Sequence, residues 1–197
     1  MLNLSKSKER KKILQFFFSD INRKHYLREM ERILNISVGN IRRELLSLEK
    51  DGLFIKERMG NQVYYSLNQK SPIFTDIKNI VSKTIGIEAI LKKELSKLEN
   101  IDFAFIYGSF AKGNEYSLSD IDVFILGEED EAQINEILSK AEKELSREIN
   151  YTLFFKNEFK KEFKNNVFLK DVISNKKIFL INNEDEFKKI IKRKEGL

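Results

Sequence analysis

Two aspartates one residue apart, Asp120 and Asp122, head the apolar run Ile121–Leu126. In a strand, alternation sets both carboxylates on one face and turns Ile121 and Val123 to the other, into the core. Two carboxylates so close repel unless a cation neutralises them, and Mg²⁺ takes carboxylate and phosphate oxygens. Twelve residues before Asp120, Gly108 and Ser109 follow the apolar run Phe103–Tyr107. Glycine lets backbone approach a phosphate closely, Ser109 adds a hydroxyl donor, and a helix starting there offers free N–H groups to an anion. Lys112 is placed to reach a phosphate as a flexible point charge, and Gly113 ends the short turn. Together these residues suit a phosphate near Gly108, Ser109 and Lys112 and a divalent cation at Asp120 and Asp122.

The surrounding chain alternates between strand and helix patterns. Phe103–Tyr107 and Ile121–Leu126 read as strands, Glu131–Ser146 as a helix and Ile149–Phe155 as a third strand. Glu158–Asn165 and Phe168–Ser174 read as short helices, Lys177–Ile181 as a last strand and Glu184–Lys194 as a closing helix. This order predicts a compact α/β domain with a mixed sheet over residues 100–197.

The set Gly-Ser, Ala-Lys-Gly and Ser-Asp-Ile-Asp-Val, spread over residues 108–123, resembles the signature of the minimal nucleotidyltransferases of the polymerase-beta superfamily. The resemblance implies that NTP and Mg²⁺ bind together and that Asp120 and Asp122 form the catalytic pair. An acceptor hydroxyl then attacks the α-phosphate in line while pyrophosphate leaves. It also implies a third carboxylate on the next strand, where Asn150 occupies the aligned position. Asparagine binds a metal through its amide oxygen, but it brings no charge and cannot act as a general base. Glu148, expected on the same strand face, is the other candidate ligand; the plainer reading makes it a solvated strand edge. Nucleotide binding is thus better founded than turnover.

The N-terminal third has a different character. Residues 1–70 carry 15 Lys/Arg against 8 Asp/Glu, whereas the remainder carries 21 against 23. A basic first third suggests a polyanionic partner. Glu9–Ser19 reads as a helix with Ile13, Phe16 and Phe17 on one face, and Tyr26–Leu34 as a second. A third helix, N-capped by Ser37, runs to Lys50 with Val38, Ile41, Leu45 and Leu48 as its buried stripe. Gly52 is its left-handed C-cap. A hairpin follows, Leu53–Arg58 and Gln62–Leu67, turning at Met59–Asn61. His25 is expected at the surface or as a cap near the second helix, and Tyr64 and Tyr65 as packing residues. Pro72 suits the first position of a long amphipathic helix filling residues 71–99.

Residues 8–67 resemble the ArsR-like winged helix-turn-helix domains of bacterial and archaeal regulators. The resemblance implies double-stranded DNA as partner, read by Ser37, Asn40, Arg42, Arg43 and Ser47 of the third helix. Lys56, Arg58, Asn61 and Gln62 of the hairpin would meet phosphates or a minor groove. A two-fold dimer is the default for such a regulator.

The whole is expected to be an α+β protein of two domains, 1–70 and 100–197, joined by residues 71–99. Zero Cys and one His exclude disulfides and the usual zinc sets. No apolar run is long enough for a membrane span, and the expected location is the cytoplasm. Two functions fit. One is a DNA-binding transcriptional regulator that senses a nucleotide with a silent transferase domain. The other is an enzyme moving a nucleoside monophosphate onto a protein or small molecule, as antitoxin-type adenylyltransferases do to partner proteins.

Overall fold

A computed structural model describes residues 7–112, 120–145, 147–163 and 165–195, with side chains to residue 191. Gly113 and Ser119 of the motif lie outside the described residues. The chain divides into two compact units, Met1–Ala89 and Ile90–Leu197.

The first unit runs α1 (Lys8–Phe18), β1 (His25–Tyr26), α2 (Leu27–Leu34), α3 (Val38–Lys50), β2 (Phe54–Met59), β3 (Gln62–Leu67) and α4 (Phe74–Thr84). Its antiparallel sheet has the order β1-β3-β2. The core takes Ile13, Leu14 and Phe17 from α1, Met30 from α2, and Ile41, Leu45 and Leu48 from α3. Phe54, Tyr65, Leu67, Ile77 and Val81 complete it. Fully burying each such side chain is worth about 1.5–3 kcal/mol.

Several local expectations are corrected. His25 and Tyr26 pair with Tyr65 and Tyr64 in β1, so α2 begins at Leu27. His25 is half-buried just before α2: its ring packs 5.0 Å from Phe16, and its Nδ1 lies 2.9 Å from Glu29 Oε2 in the first turn of that helix. Ser37 occupies the N-cap of α3 but makes no side-chain cap; instead Glu31 Oε1 of α2 accepts from the Val38 N–H at 3.1 Å. Gly52 has φ +79°, as a left-handed cap requires, and the Leu53 N–H donates back to the Leu48 carbonyl.

The single long helix expected over residues 71–99 is two. Pro72 lies in a turn before α4, whose N-cap is Ile73. The helix ends where Ile85 leaves helical geometry, at φ −139° and ψ −8°, and both Ile85 and Gly86 donate to the Val81 carbonyl. Gln15 Nε2 of α1 donates to the Ile85 carbonyl at 2.7 Å, satisfying an acceptor that a continuing helix would have used.

The next helix, α5 (Ile87–Leu95), crosses the division between the units. Then come β4 (Ile101–Tyr107), α6 (Gly108–Lys112), β5 (Ile121–Gly127), α7 (Glu131–Leu145), β6 (Ile149–Phe154), α8 (Lys156–Glu162), α9 (Val167–Ser174), β7 (Ile178–Ile181) and α10 (Glu184–Glu195). The four-stranded mixed sheet has the order β6-β5-β4-β7. β5 and β6 are parallel, and β4 is antiparallel to both its neighbours. One sheet face carries Phe103, Phe105, Phe124, Leu126 and Phe154, packed with Phe159, Leu169 and Phe187 of α8, α9 and α10. The alternate residues Ala104, Ile106, Val123 and Ile125 are buried on the other face. The molecule is therefore an α+β protein with one antiparallel and one mixed sheet. Among the described residues, no helix is long and apolar enough to cross a membrane.

Candidate nucleotide site

The site forms where β4 ends and β5 begins. These strands are antiparallel, so the end of one lies beside the start of the other, with Tyr107 opposite Asp122. The chain turns at Gly108, whose φ of +73° is strained for any other residue. A Cβ built on Gly108 would stand 2.6 Å from Asp122 Oδ2. Glycine thus lets the phosphate-type turn lie directly against the carboxylate. Beyond it, Phe110 and Ala111 anchor α6 in the core, and the Arg147 guanidinium covers the Phe110 ring at 5.5 Å. Ser109 is half-buried and Lys112 exposed.

Gly108→Ala tests this turn. Left-handed backbone costs about 1–2 kcal/mol for a residue with Cβ, and the methyl would also displace Asp122. The expected result is at least about a tenfold loss of nucleotide affinity in a protein that still unfolds cooperatively, measured by calorimetric titration and thermal melting.

Asp122 and Asn150 are register partners across β5 and β6. Asn150 Nδ2 donates to Asp120 Oδ2 at 3.1 Å, so the amide touches one member of the acidic pair. Glu148 is exposed and precedes β6; its carbonyl accepts from the Ile121 N–H. The side-chain contact therefore involves Asn150. Tyr107 and Thr152 also stand on this face, their hydroxyl oxygens 3.3 Å apart. Sequence reasoning missed both, because a strand-end aromatic and a strand threonine read as ordinary sheet residues.

Burial pushes the Asp122 carboxyl above its usual range, and the neighbouring Asp120 charge adds to the rise. Burial also raises the Tyr107 phenol, against the Thr152 hydrogen bond and with help from Asp122. For Asp122 the folded value exceeds the unfolded one. Its ionisation therefore costs stability, and the cost grows as pH rises from the unfolded value through the folded one. A divalent cation would relieve it.

The donor chemistry fits Mg²⁺. Asp120 and Asp122 put two carboxylates on one face, yet among the described residues no cluster of three or more His, Cys, Asp or Glu could hold a metal alone. Mg²⁺ commonly uses one or two carboxylates with waters and substrate phosphates. Mg²⁺ should raise the melting temperature at pH 7 by about 4 °C per kcal/mol of binding, and Asp122→Asn should blunt the rise while itself stabilising the metal-free protein. A Mg²⁺ response identical in wild type and variant would remove Asp122 from the site.

The DNA candidates lie elsewhere, in the first unit. Ser37, Arg42 and Arg43 are exposed; Asn40 is half-buried and accepts from Arg43 Nη2 at 3.2 Å. Ser47 is half-buried, and its hydroxyl accepts from the buried Arg10 Nη2 at 2.8 Å. On the hairpin, Lys56, Arg58, Asn61 and Gln62 are exposed, with Lys56 Nζ 3.0 Å from Glu49 Oε1.

Residues 88–186 match the family model described as Polymerase beta, Nucleotidyltransferase. The match spans half of the chain, and the protein belongs to this family of nucleotidyltransferases. Two solved structures are similar. A toxin–antitoxin with AMP-PNP is 16% identical, covering 55% of this chain and 84% of its own, with a TM-score of 0.41. A "putative nucleotidyltransferase" from Sulfolobus solfataricus is 19% identical, covering 47% and 73%, with a TM-score of 0.29. At these values neither transfers a ligand or partner to this chain. No curated protein matches it.

Proposed function

We propose that the protein transfers a nucleoside monophosphate from an NTP–Mg²⁺ complex to a hydroxyl of a protein or small-molecule acceptor. Residues 100–197 would form the transferase domain, and residues 1–70 a winged-helix DNA reader joined to it by residues 71–99. The observation that carries the transferase reading is the contact of the left-handed Gly108 turn with Asp122, beside Asp120.

Gly108, Ser109 and Lys112 would hold the triphosphate, and Asp120 and Asp122 the metal. When bound, Mg²⁺ supplies positive charge to the transferring phosphoryl oxygens and the departing pyrophosphate. The new bond joins the acceptor oxygen to the α-phosphorus, and the bond from that phosphorus to pyrophosphate breaks. Asn150 steadies Asp120 through its amide but takes no proton. The acceptor's proton therefore passes to water or to a base on the acceptor. Incubation with α-labelled ATP, Mg²⁺ and cell lysate tests the reading: an acceptor should be labelled, and an Asp120→Ala/Asp122→Ala variant should label none.

Asn150 also favours a second reading, in which the domain binds nucleotide without turnover and reports it to the DNA reader. Nucleotide binding without any labelled acceptor would decide for it.

The helix order α1, α2, α3 and the β2–β3 hairpin support DNA recognition, as does the basic balance of the first 70 residues. Arg43 would read a base edge and Lys56 a phosphate. Against a duplex selected from random sequence, Arg43→Ala should weaken binding by about 1–3 kcal/mol and relax specificity at one position. Lys56→Ala should weaken all duplexes alike and flatten the salt dependence. If no duplex is retained at moderate salt, the DNA reading is lost.

A further inference from the structure

A run of near-parallel rings crosses the second unit from its core to its surface. Phe105 stacks on Phe124 at 4.8 Å and 10°, Phe124 on Phe154 at 5.6 Å and 21°, and Phe154 on Phe168 at 6.5 Å and 17°. Phe105 and Phe124 are fully buried, whereas Phe168, at the start of α9, is 37% exposed. Phe168 packs on Phe154 and Tyr107 and still leaves about a third of its surface to solvent. Exposure continues at Val167, which is 80% exposed.

The run ends against Tyr107, the register partner of Asp122. Phe105, Phe124, Phe154 and Tyr107 share the sheet face that carries Asp122 and Asn150, by strand alternation. Tyr107, opposite Asp122, meets Phe168 edge-on at 5.7 Å and 80°. The Tyr107 hydroxyl neighbours Thr152, two residues beyond Asn150 on β6. Tyr107 therefore bridges the strand carrying Asn150 and the Phe168 ring.

We propose that the exposed ring of Phe168 is the base-stacking platform of the nucleotide site, a fifth ring being added to the series by the nucleobase. This rests on the reading of Asp120, Asp122 and Gly108 as the metal and phosphate subsite. Stacking on a ring face tolerates every base, since each has a π-face, and it scales with ring area. The site therefore accepts nucleoside triphosphates generally and holds the purines more tightly than the pyrimidines.

The test uses the full chain and calorimetric titration with Mg²⁺ present. ATP, UTP and inorganic tripolyphosphate, which has no base, are the three probes. Phe168→Ala should weaken ATP by about 5- to 100-fold and leave tripolyphosphate unchanged. Phe168→Tyr should keep wild-type ATP affinity. Phe168→Leu keeps apolar bulk for folding, and should bind ATP and UTP with equal affinity where the wild type prefers ATP. Thermal melting confirms that each variant is folded. Unchanged ATP affinity in both Phe168→Ala and Phe168→Leu, or an equal loss for ATP and tripolyphosphate, overturns the platform while leaving the phosphate subsite standing. Wild-type protein that binds none of the three probes overturns the underlying site and the platform with it.

Discussion

Replacing Asp120 and Asp122 together by alanine is expected to lower nucleotidyl transfer by at least about a thousandfold. Metal stabilisation of a transferring phosphoryl group is worth several kcal/mol, and each 1.36 kcal/mol is tenfold in rate. Among the described residues no group of three or more His, Cys, Asp or Glu could hold the metal in their place. Asn150 sits on the neighbouring strand but carries no charge. The loss is therefore expected to fall on transfer rather than on folding. Burial and mutual repulsion already hold Asp122 above its ordinary range, so removing both charges relieves the metal-free protein. The measurement is label incorporated per minute at saturating NTP and Mg²⁺, alongside a melting curve. Activity retained within tenfold in a folded double variant would place the chemistry elsewhere.

The largest stability effect is expected in the first unit, at Glu44. Arg10 Nε lies 2.7 Å from Glu44 Oε2, and their side chains are 2% and 5% exposed. Ser7 donates to Glu44 Oε1 at 3.1 Å, and Arg10 Nη2 donates to Ser47. This network ties α1 to α3. Removing one partner of a buried pair leaves a desolvated charge uncompensated, at a cost of about 3–5 kcal/mol. A domain is stable by only about 5–15 kcal/mol in total. Glu44→Ala should therefore lower the denaturant midpoint of the first unit sharply. The double exchange Arg10→Met/Glu44→Leu should recover most of the loss, because it removes both charges and keeps the volume. A double variant no more stable than Glu44→Ala would mean that lost packing, not an unpaired charge, sets the cost.

Much of the candidate nucleotide site's local geometry was legible in the chain itself, because its signals are local. Asp120 and Asp122 share a face through strand alternation, and a Gly-Ser turn after an apolar strand needs a residue free to adopt positive φ. The helices and hairpin of the first unit were readable for the same reason, since spacings of three and four in α3 are properties of consecutive residues. Tertiary contacts decided the rest. Ser37 looked like a cap, but Glu31 of another helix caps α3. The bond from Arg10 to the Ser47 hydroxyl joins residues 37 apart in the chain and could not be read locally. The linker looked continuous, but Gln15 takes the carbonyl at its break. Asn150 could be aligned with a missing acid, yet its bond to Asp120 depends on two parallel strands brought side by side. Phe168 gave no signal at all. Its place in the series arises only when three strands and α9 align four phenylalanines drawn from 64 residues of chain. By itself the sequence determined which residues could bind a metal and a phosphate, because alternation and turn geometry act over a few neighbours. Only the tertiary structure decided which side chains meet there, because hydrogen bonds and ring stacking depend on distance in space rather than along the chain.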